Sequence, residues 1–185
     1  MMRPVTLIVL AWNRWPLTRR LLDSLACTTD LRTVDLLVVD NGSTDETPAE
    51  LAKLRLSVDR PLRVLRLESN LGFVRGNNAG IRATPAENDV VLLNNDVEIL
   101  HESWLERLQR AATSAPNVGI AGCRLVLGDG RLLHAGTYIR PDTMWGQQIG
   151  SLEIDLDQYA GTREVEGIVF ACAYLRRETL DRVGL

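Results

Sequence analysis

The sequence has 185 residues, enough for one sizeable hydrophobic core and too few for a second of equal size. With 45% hydrophobic and 24% charged residues it has the composition of an ordinary globular chain, and a formal net charge of -3 gives no general attraction to nucleic acid or anionic lipid. No apolar run approaches the roughly 20 residues that span a bilayer, which leads us to expect a cytoplasmic protein, with peripheral attachment at the inner membrane face left open.

Met1-Met2-Arg3-Pro4 passes directly into an apolar run, residues 5–10, that reads as a first strand rather than a cleaved leader. Leu17, Leu21, Leu22 and Leu25 then recur on one helical face. A second strand is expected over residues 36–39, ending in Asp40-Asn41-Gly42-Ser43-Thr44-Asp45-Glu46, where Gly42 supplies a turn and Ser43 and Glu46 have capping-box spacing. Pro48 suits the first turn of a helix running through Leu54. A third strand (62–67), a third helix (74–83) and a fourth strand (90–93) complete the alternation. Near-continuous apolar strands separated by helices are what a parallel sheet covered on both faces requires.

A further helix is expected over residues 102–112 with Leu105, Leu108 and Ala112 inward, then a strand at 118–121. Residues 125–127 and 132–134 flank Gly128-Asp129-Gly130 as a hairpin, so antiparallel strands are added to the α/β core. Residues 137–163 read as a long surface loop over a binding site, 168–175 as a last strand, and a short helix stops near Gly184. Cys27, Cys123 and Cys172 are too widely spaced for a metal knuckle and read as buried thiols.

Open parallel sheets bind ligands beyond the carboxyl ends of their strands. Those positions here carry Ala11-Trp12-Asn13-Arg14, Asp40-Asn41-Gly42-Ser43, Asn70-Leu71-Gly72-Phe73 and Asn94-Asn95-Asp96. Asp40 and Asn13 have the chemistry to read a nucleobase or ribose, and equally the chemistry to brace their own turns. Arg75 can pair with a phosphate or sit in solvent. Gly76 and Gly80, one turn apart, strip a helix face to backbone for close approach to the sheet or to a ligand. Asp96 is read as a ligand to a divalent cation bridging phosphate oxygens, or as a cap, with Glu98 or His134 as further candidates and His101 as a surface residue. No Gly-rich Walker or dinucleotide fingerprint follows the first strand, which counts against ATPase and dehydrogenase readings.

The segments VTLIVLAWNR, LVVDNGSTDET, NLGFVRGNNAGI and VLLNNDVEIL together resemble family 2 glycosyltransferases of the GT-A fold, over nearly the whole chain. The resemblance implies a three-layer α/β domain with a mostly parallel central sheet, occupying residues 1–185 as one nucleotide-sugar-binding unit. It implies that Asp40 recognises the nucleoside and that Asp96 is the last, metal-binding aspartate of a DxD signature whose first position is Asn94. It implies a donor-binding set of Ala11, Asn13, Asp40, Asn70, Gly72, Arg75, Asn94 and Asn95, with Asp96 holding Mg²⁺ or Mn²⁺. EGIVFACAYLRRETLDRVGL resembles the acceptor-side segment, with Gly167 and Ala171 near the donor sugar and Arg176-Arg177 following. The activity implied is inverting transfer of a sugar from a nucleoside-diphosphate donor to a glycan or lipid-linked acceptor.

The family's general base lies in an acidic loop after a VGLF-like sequence, so it is expected beyond Leu185, with the chain truncated at its C-terminal end. Asp181, Glu164 and Glu166 are weak substitutes. The 70–80 segment and His134-Ala135-Gly136 resemble rhamnosyltransferase-like members acting in cell-surface polysaccharide assembly, which favours a dTDP- or UDP-linked donor and no nucleic acid. The competing readings are a non-catalytic nucleotide-sugar-binding domain and, on Trp15-Pro16-Leu17-Thr18, a sugar nucleotidyltransferase.

Overall fold

The computed structural model describes residues 3–55 and 62–185, so the reading of Met1 and Met2 lies outside the described residues. Strands β1 (Val5–Ala11), β2 (Asp35–Asp40), β3 (Arg63–Arg66) and β4 (Asp89–Asn94) alternate with helices α1 (Trp15–Thr28), α2 (Thr47–Arg55) and α3 (Gly72–Arg82). Helix α4 (Trp104–Ala112) and strand β5 (Ile120–Gly122) follow. Hairpins β6 (Leu125–Val126) with β7 (Leu132–His134) and β8 (Thr137–Ile139) with β9 (Gly146–Gln148) precede β10 (Cys172–Leu175) and α5 (Arg177–Val183).

The main sheet has the order β3-β2-β1-β4-β10-β5. Its first four members are parallel, and β10 runs antiparallel to both β4 and β5. Side-chain alternation divides the strands between two cores. Leu7, Val9, Leu36, Val38, Val91, Leu93, Cys172 and Tyr174 face one side, against Leu21, Leu22 and Leu25 of α1, Leu51 of α2 and Leu108 and Ala112 of α4. Ile8, Leu37, Val39, Val90, Leu92, Ala173 and Leu175 face the other, with Ile81 of α3 and Leu180 of α5. The result is the three-layer arrangement implied by the family resemblance.

Close packing explains the glycine pair on α3. A Cβ at Gly80 would stand 2.9 Å from methyls of both Ile8 and Val39, and one at Gly76 would stand 2.7 Å from Leu10 Cδ1. Both glycines therefore bring the helix onto the sheet, not onto a ligand.

Several expectations change. Ser43 and Glu46 form no capping box among the described residues, because Ser43 Oγ accepts from Asn13 N–H at 2.8 Å and Asp45 Oδ1 accepts Thr47 N–H at 3.0 Å at the start of α2. The surface loop at 137–163 contains the β8–β9 hairpin, whose alternation is too short to register in the sequence. The last strand begins only at Cys172, since residues 170–171 turn. Cys27 is exposed, whereas Cys172 is buried and no disulfide forms among the three. Trp15 and Thr18 are buried on the inner face of α1, so that segment is core structure and gives no nucleotidyltransferase loop.

The amino end of the sheet carries a buried polar network. Tyr174 Oη donates to Asp89 Oδ2 at 2.6 Å and Arg177 N–H to Asp89 Oδ1 at 2.8 Å. Burial, and then the neighbouring carboxylate, push the Tyr174 hydroxyl well above its ordinary pKa, so it remains a donor. We expect Tyr174→Phe to lower stability by about 1.5–3 kcal/mol, the range for a hydrogen bond to a charged group. Urea unfolding would measure this, and an unchanged midpoint would show that Asp89 is satisfied without Tyr174.

Candidate functional site

The chain winds outward from β1 to β2 and β3, then crosses over α3 to β4 on the other side of β1. That reversal opens a crevice at the carboxyl ends of β1 and β4, the place where such sheets take ligands. Register puts Ala11 beside Asp40 and Leu10 beside Asn94. The ends of β2 and β4 therefore flank β1, roughly 10 Å apart at ordinary strand spacing.

Much of the polar chemistry on this edge holds loops together. Asn13 Oδ1 accepts Thr44 N–H at 2.8 Å and Asp45 N–H at 3.3 Å. Asn13 and Arg14 both have left-handed backbone, with φ of 55 and 54, a conformation Asn tolerates far better than Arg. Asp40 is 1% exposed; its Oδ1 accepts Ser43 N–H at 2.9 Å and its Oδ2 accepts from Arg66 Nη1 at 2.6 Å. Arg66 Nη2 also donates to Ser43 O at 3.1 Å, so the guanidinium clamps the turn after β2. Burial acts to raise the Asp45 carboxyl, but hydrogen bonds from Thr47 and Trp15 outweigh it and hold the group below its ordinary range.

Sequence reasoning gave Asn41 no role of its own, yet it joins two of these loops. Its Nδ2 donates to Asn70 Oδ1 at 3.0 Å and to Gly72 O at 3.3 Å, while its Oδ1 accepts Leu71 N–H at 2.9 Å. Asn70 Oδ1 also accepts Gly72 N–H at 2.8 Å. The adjacency of two short amides, Asn41 and Asn70, at successive strand ends was the available signal.

Asn95 is tied to the protein, donating from Nδ2 to Thr18 Oγ1 of α1 at 3.0 Å. The Asn94 side chain and Asp96 make no hydrogen bond or ion pair among the described residues, and Asp96 is exposed. Arg75, in the first turn of α3, is likewise exposed and unpaired among them. Trp12, 52% exposed, stands at the rim beside Asn13.

Other candidates are engaged elsewhere. Glu98 pairs with Arg20 at 3.5 Å. His134 is buried, with Nδ1 bonded to Gln148 Oε1 and Nε2 accepting Val169 N–H at 3.3 Å, so it fastens the hairpins to the chain behind them. Because β10 is antiparallel, its beginning lies at the carboxyl edge and its end at the opposite edge. Asn94 N–H donates to Ala171 O at 2.9 Å, which brings residues before β10 to the crevice. Arg177 instead donates to Asn88 O, Thr84 Oγ1 and Pro85 O at the far edge, and Arg176 to Val118 O. Glu166 accepts Ile139 N–H, and Asp181 lies on α5.

Gly42 sets how closely the loops approach. At φ +73, its Cβ would lie 2.4 Å from the Ser69 carbonyl carbon and 2.7 Å from Asn70 N. We expect Gly42→Ala to cost more than about 1 kcal/mol, from both left-handed backbone and collision with main chain. Gly128→Ala, with nothing within 4 Å of its added Cβ, should stay within about 0.5 kcal/mol of the parent. Paired urea midpoints check the contrast, and equal shifts would refute it.

Comparisons with known proteins fit this geometry. The family model described as Glycosyl transferase family 2 matches residues 6–184. The chain is similar to O-antigen biosynthesis protein RfbC of Myxococcus xanthus, with 31% identity over 97% of this chain and 14% of that protein. It is similar to succinoglycan biosynthesis protein ExoO of Rhizobium meliloti, with 30% identity over 70% of this chain and 36% of that one. Among solved structures, the mannosyltransferase PcManGT from Pyrobaculum calidifontis, in complex with GDP-Man and Mn2+, superposes with a TM-score of 0.67 at 21% identity, covering 100% of this chain and 47% of that one. The chain thus spans less than half the length of each of these proteins. At that identity the structural likeness speaks for the GT-A fold.

Proposed function

The chain belongs to glycosyl transferase family 2, and we propose that it binds a nucleoside-diphosphate sugar along the carboxyl edge and serves inverting transfer of that sugar to a glycan or lipid-linked acceptor. A contrast within the edge carries this reading. Asn13, Asp40, Asn41, Asn70 and Asn95 hold loops, whereas Trp12, Arg75, the Asn94 side chain and Asp96 are left unpaired among the described residues. An aromatic face, a guanidinium and a carboxylate are the groups that a base, a diphosphate and its cation call for.

In this proposal Trp12 stacks on the base. Asp40 acts on the nucleoside by fixing Arg66 and the Ser43 turn, because its own carboxylate is buried and bonded. Ala11 and Gly72 contribute backbone at the crevice, and Arg75 meets the diphosphate. The donor set fits a divalent cation held largely by substrate. Asp96 is one exposed carboxylate, Asn94 offers an amide oxygen, and the described residues contain no group of three or more His, Cys, Asp or Glu able to hold a metal. Mg²⁺ or Mn²⁺ held there would offset diphosphate charge and stabilise the departing nucleoside diphosphate.

During transfer the acceptor oxygen bonds to the anomeric carbon as the bond to the diphosphate breaks, and a carboxylate takes the hydroxyl proton. Glu166 accepts Ile139 N–H with one oxygen and Asp181 sits on α5 after the amino-edge end of β10, which makes both weak choices for that base. The sequence resemblance favours a dTDP- or UDP-linked sugar, and the names of the M. xanthus and R. meliloti relatives support a polysaccharide acceptor.

Calorimetric titration with UDP, dTDP and GDP, with and without Mn²⁺, tests the division of roles. Trp12→Ala should weaken the preferred nucleotide at least about fivefold in either condition, the low end for loss of a base–aromatic stack. Asp96→Ala should remove only the metal-dependent part of diphosphate affinity. A GDP preference would overturn the base assignment, and undiminished metal dependence in Asp96→Ala would make that residue a structural one. Turnover with a panel of activated sugars separates an enzyme from a module that only binds.

A further inference from the structure

The β8–β9 hairpin supplies none of the donor-crevice residues described above, yet it carries an open groove of about 790 Å³, within the size range of small-ligand sites. Tyr138 pairs with Gln147 across the hairpin, and Ile139 with Gly146. Arg140 N–H donates to Trp145 O at 2.9 Å, which continues the same ladder by one pair. Side chains on a strand alternate between faces, so Tyr138, Arg140, Trp145 and Gln147 project from one face. Tyr138 Oη donates to Gln147 Oε1 at 2.7 Å on that face. Trp145 is 77% exposed and Tyr138 41% exposed.

The opposite face is anchored. Gln148 is bonded to His134, Thr137 N–H donates to Gly167 O at 2.9 Å, and Ile139 N–H donates to Glu166. The groove wall is therefore held in place by the segment that reaches the donor crevice at Ala171. Gly167 and Ala171 are four residues apart, a span of at most about 14 Å.

We propose that this groove binds an oligosaccharide, holding the part of an extended acceptor that lies away from the reacting hydroxyl. Sugars present apolar C–H faces and edges of hydroxyls that both donate and accept. The groove is lined by the Tyr138 ring, the Gln147 amide, the Ser151 hydroxyl, Arg140 and Glu153, and the exposed Trp145 ring stands beside it, opposite Arg140 on the same hairpin face. An anionic membrane surface matches less well, because Asp142, Glu153, Asp155 and Asp157 outnumber Arg140 and Arg163 over residues 137–163. The inference rests on the glycosyltransferase reading and adds to it the place where the distal part of the acceptor is held.

An array of oligosaccharide fragments from bacterial surface polysaccharides, probed with the full chain, tests it. At least one fragment longer than a disaccharide should be retained. Trp145→Ala should weaken that binding at least about tenfold, and Gln147→Ala measurably, while UDP or dTDP affinity stays unchanged in both. Retention unaffected by Trp145→Ala would overturn the proposal, as would retention of no fragment by a chain that still binds nucleotide. Failure to bind any nucleotide would count instead against the donor reading. Co-sedimentation with vesicles of phosphatidylglycerol, lost in Trp145→Ala and unaccompanied by glycan retention, would replace the sugar with a lipid surface.

Discussion

Hydrogen bonding between loops governs the carboxyl edge. Asn13 accepts from the backbone after β2, Asn41 bonds to the loop before α3, and Asn95 reaches back to α1. Each bond adds only about 1 kcal/mol net, but the buried Asn41 amide left without its partners would cost more, which ties the loop after β2 to the loop before α3. The exposed groups between them inherit that fixed geometry, and Trp12 follows β1 directly into a backbone constrained at Asn13 and Arg14.

The two ends of the sheet divide the labour. At the amino end, Asn88 donates to Thr6 Oγ1, which donates to Asp35, and Asp35 in turn accepts from Arg63. With the Asp89, Tyr174 and Arg177 cluster, charge there is matched within the protein. At the carboxyl end, Arg75 and Asp96 are exposed without such partners among the described residues. Arg177 illustrates the difference. Its sequence position beside the acceptor-side segment suggests a site residue, but the reversed direction of β10 carries it to the amino end.

The alternation of strands and helices through β4 was legible chiefly because β1, β2 and β4 are buried on both faces and α1 and α3 are amphipathic, signals that depend on neighbours in sequence. The polar strand ends were legible for the same reason. What escaped depends on contacts across many residues. Asp40 reads equally as a ligand and as a turn brace until Arg66 is brought beside it, and Ser43 reads as a cap until Asn13 reaches it. The β8–β9 hairpin escaped because strands of three residues carry too few alternations to stand out. His134 reads as a further candidate cation ligand because its burial between hairpin and Val169 is not legible from its flanking residues.

The insertion of β10 between β4 and β5 bears on how the chain acquires its structure. During synthesis β1 through β4 are complete once Asn94 has emerged, but the free side of β4 acquires its permanent neighbour only when Cys172–Leu175 arrives. Until then Val90–Leu93 presents unpaired main-chain groups on an apolar strand, a template for pairing with another nascent chain. The long excursion through α4 and both hairpins is thus also an interval of exposure, and it ends when four residues zip in backwards beside β4.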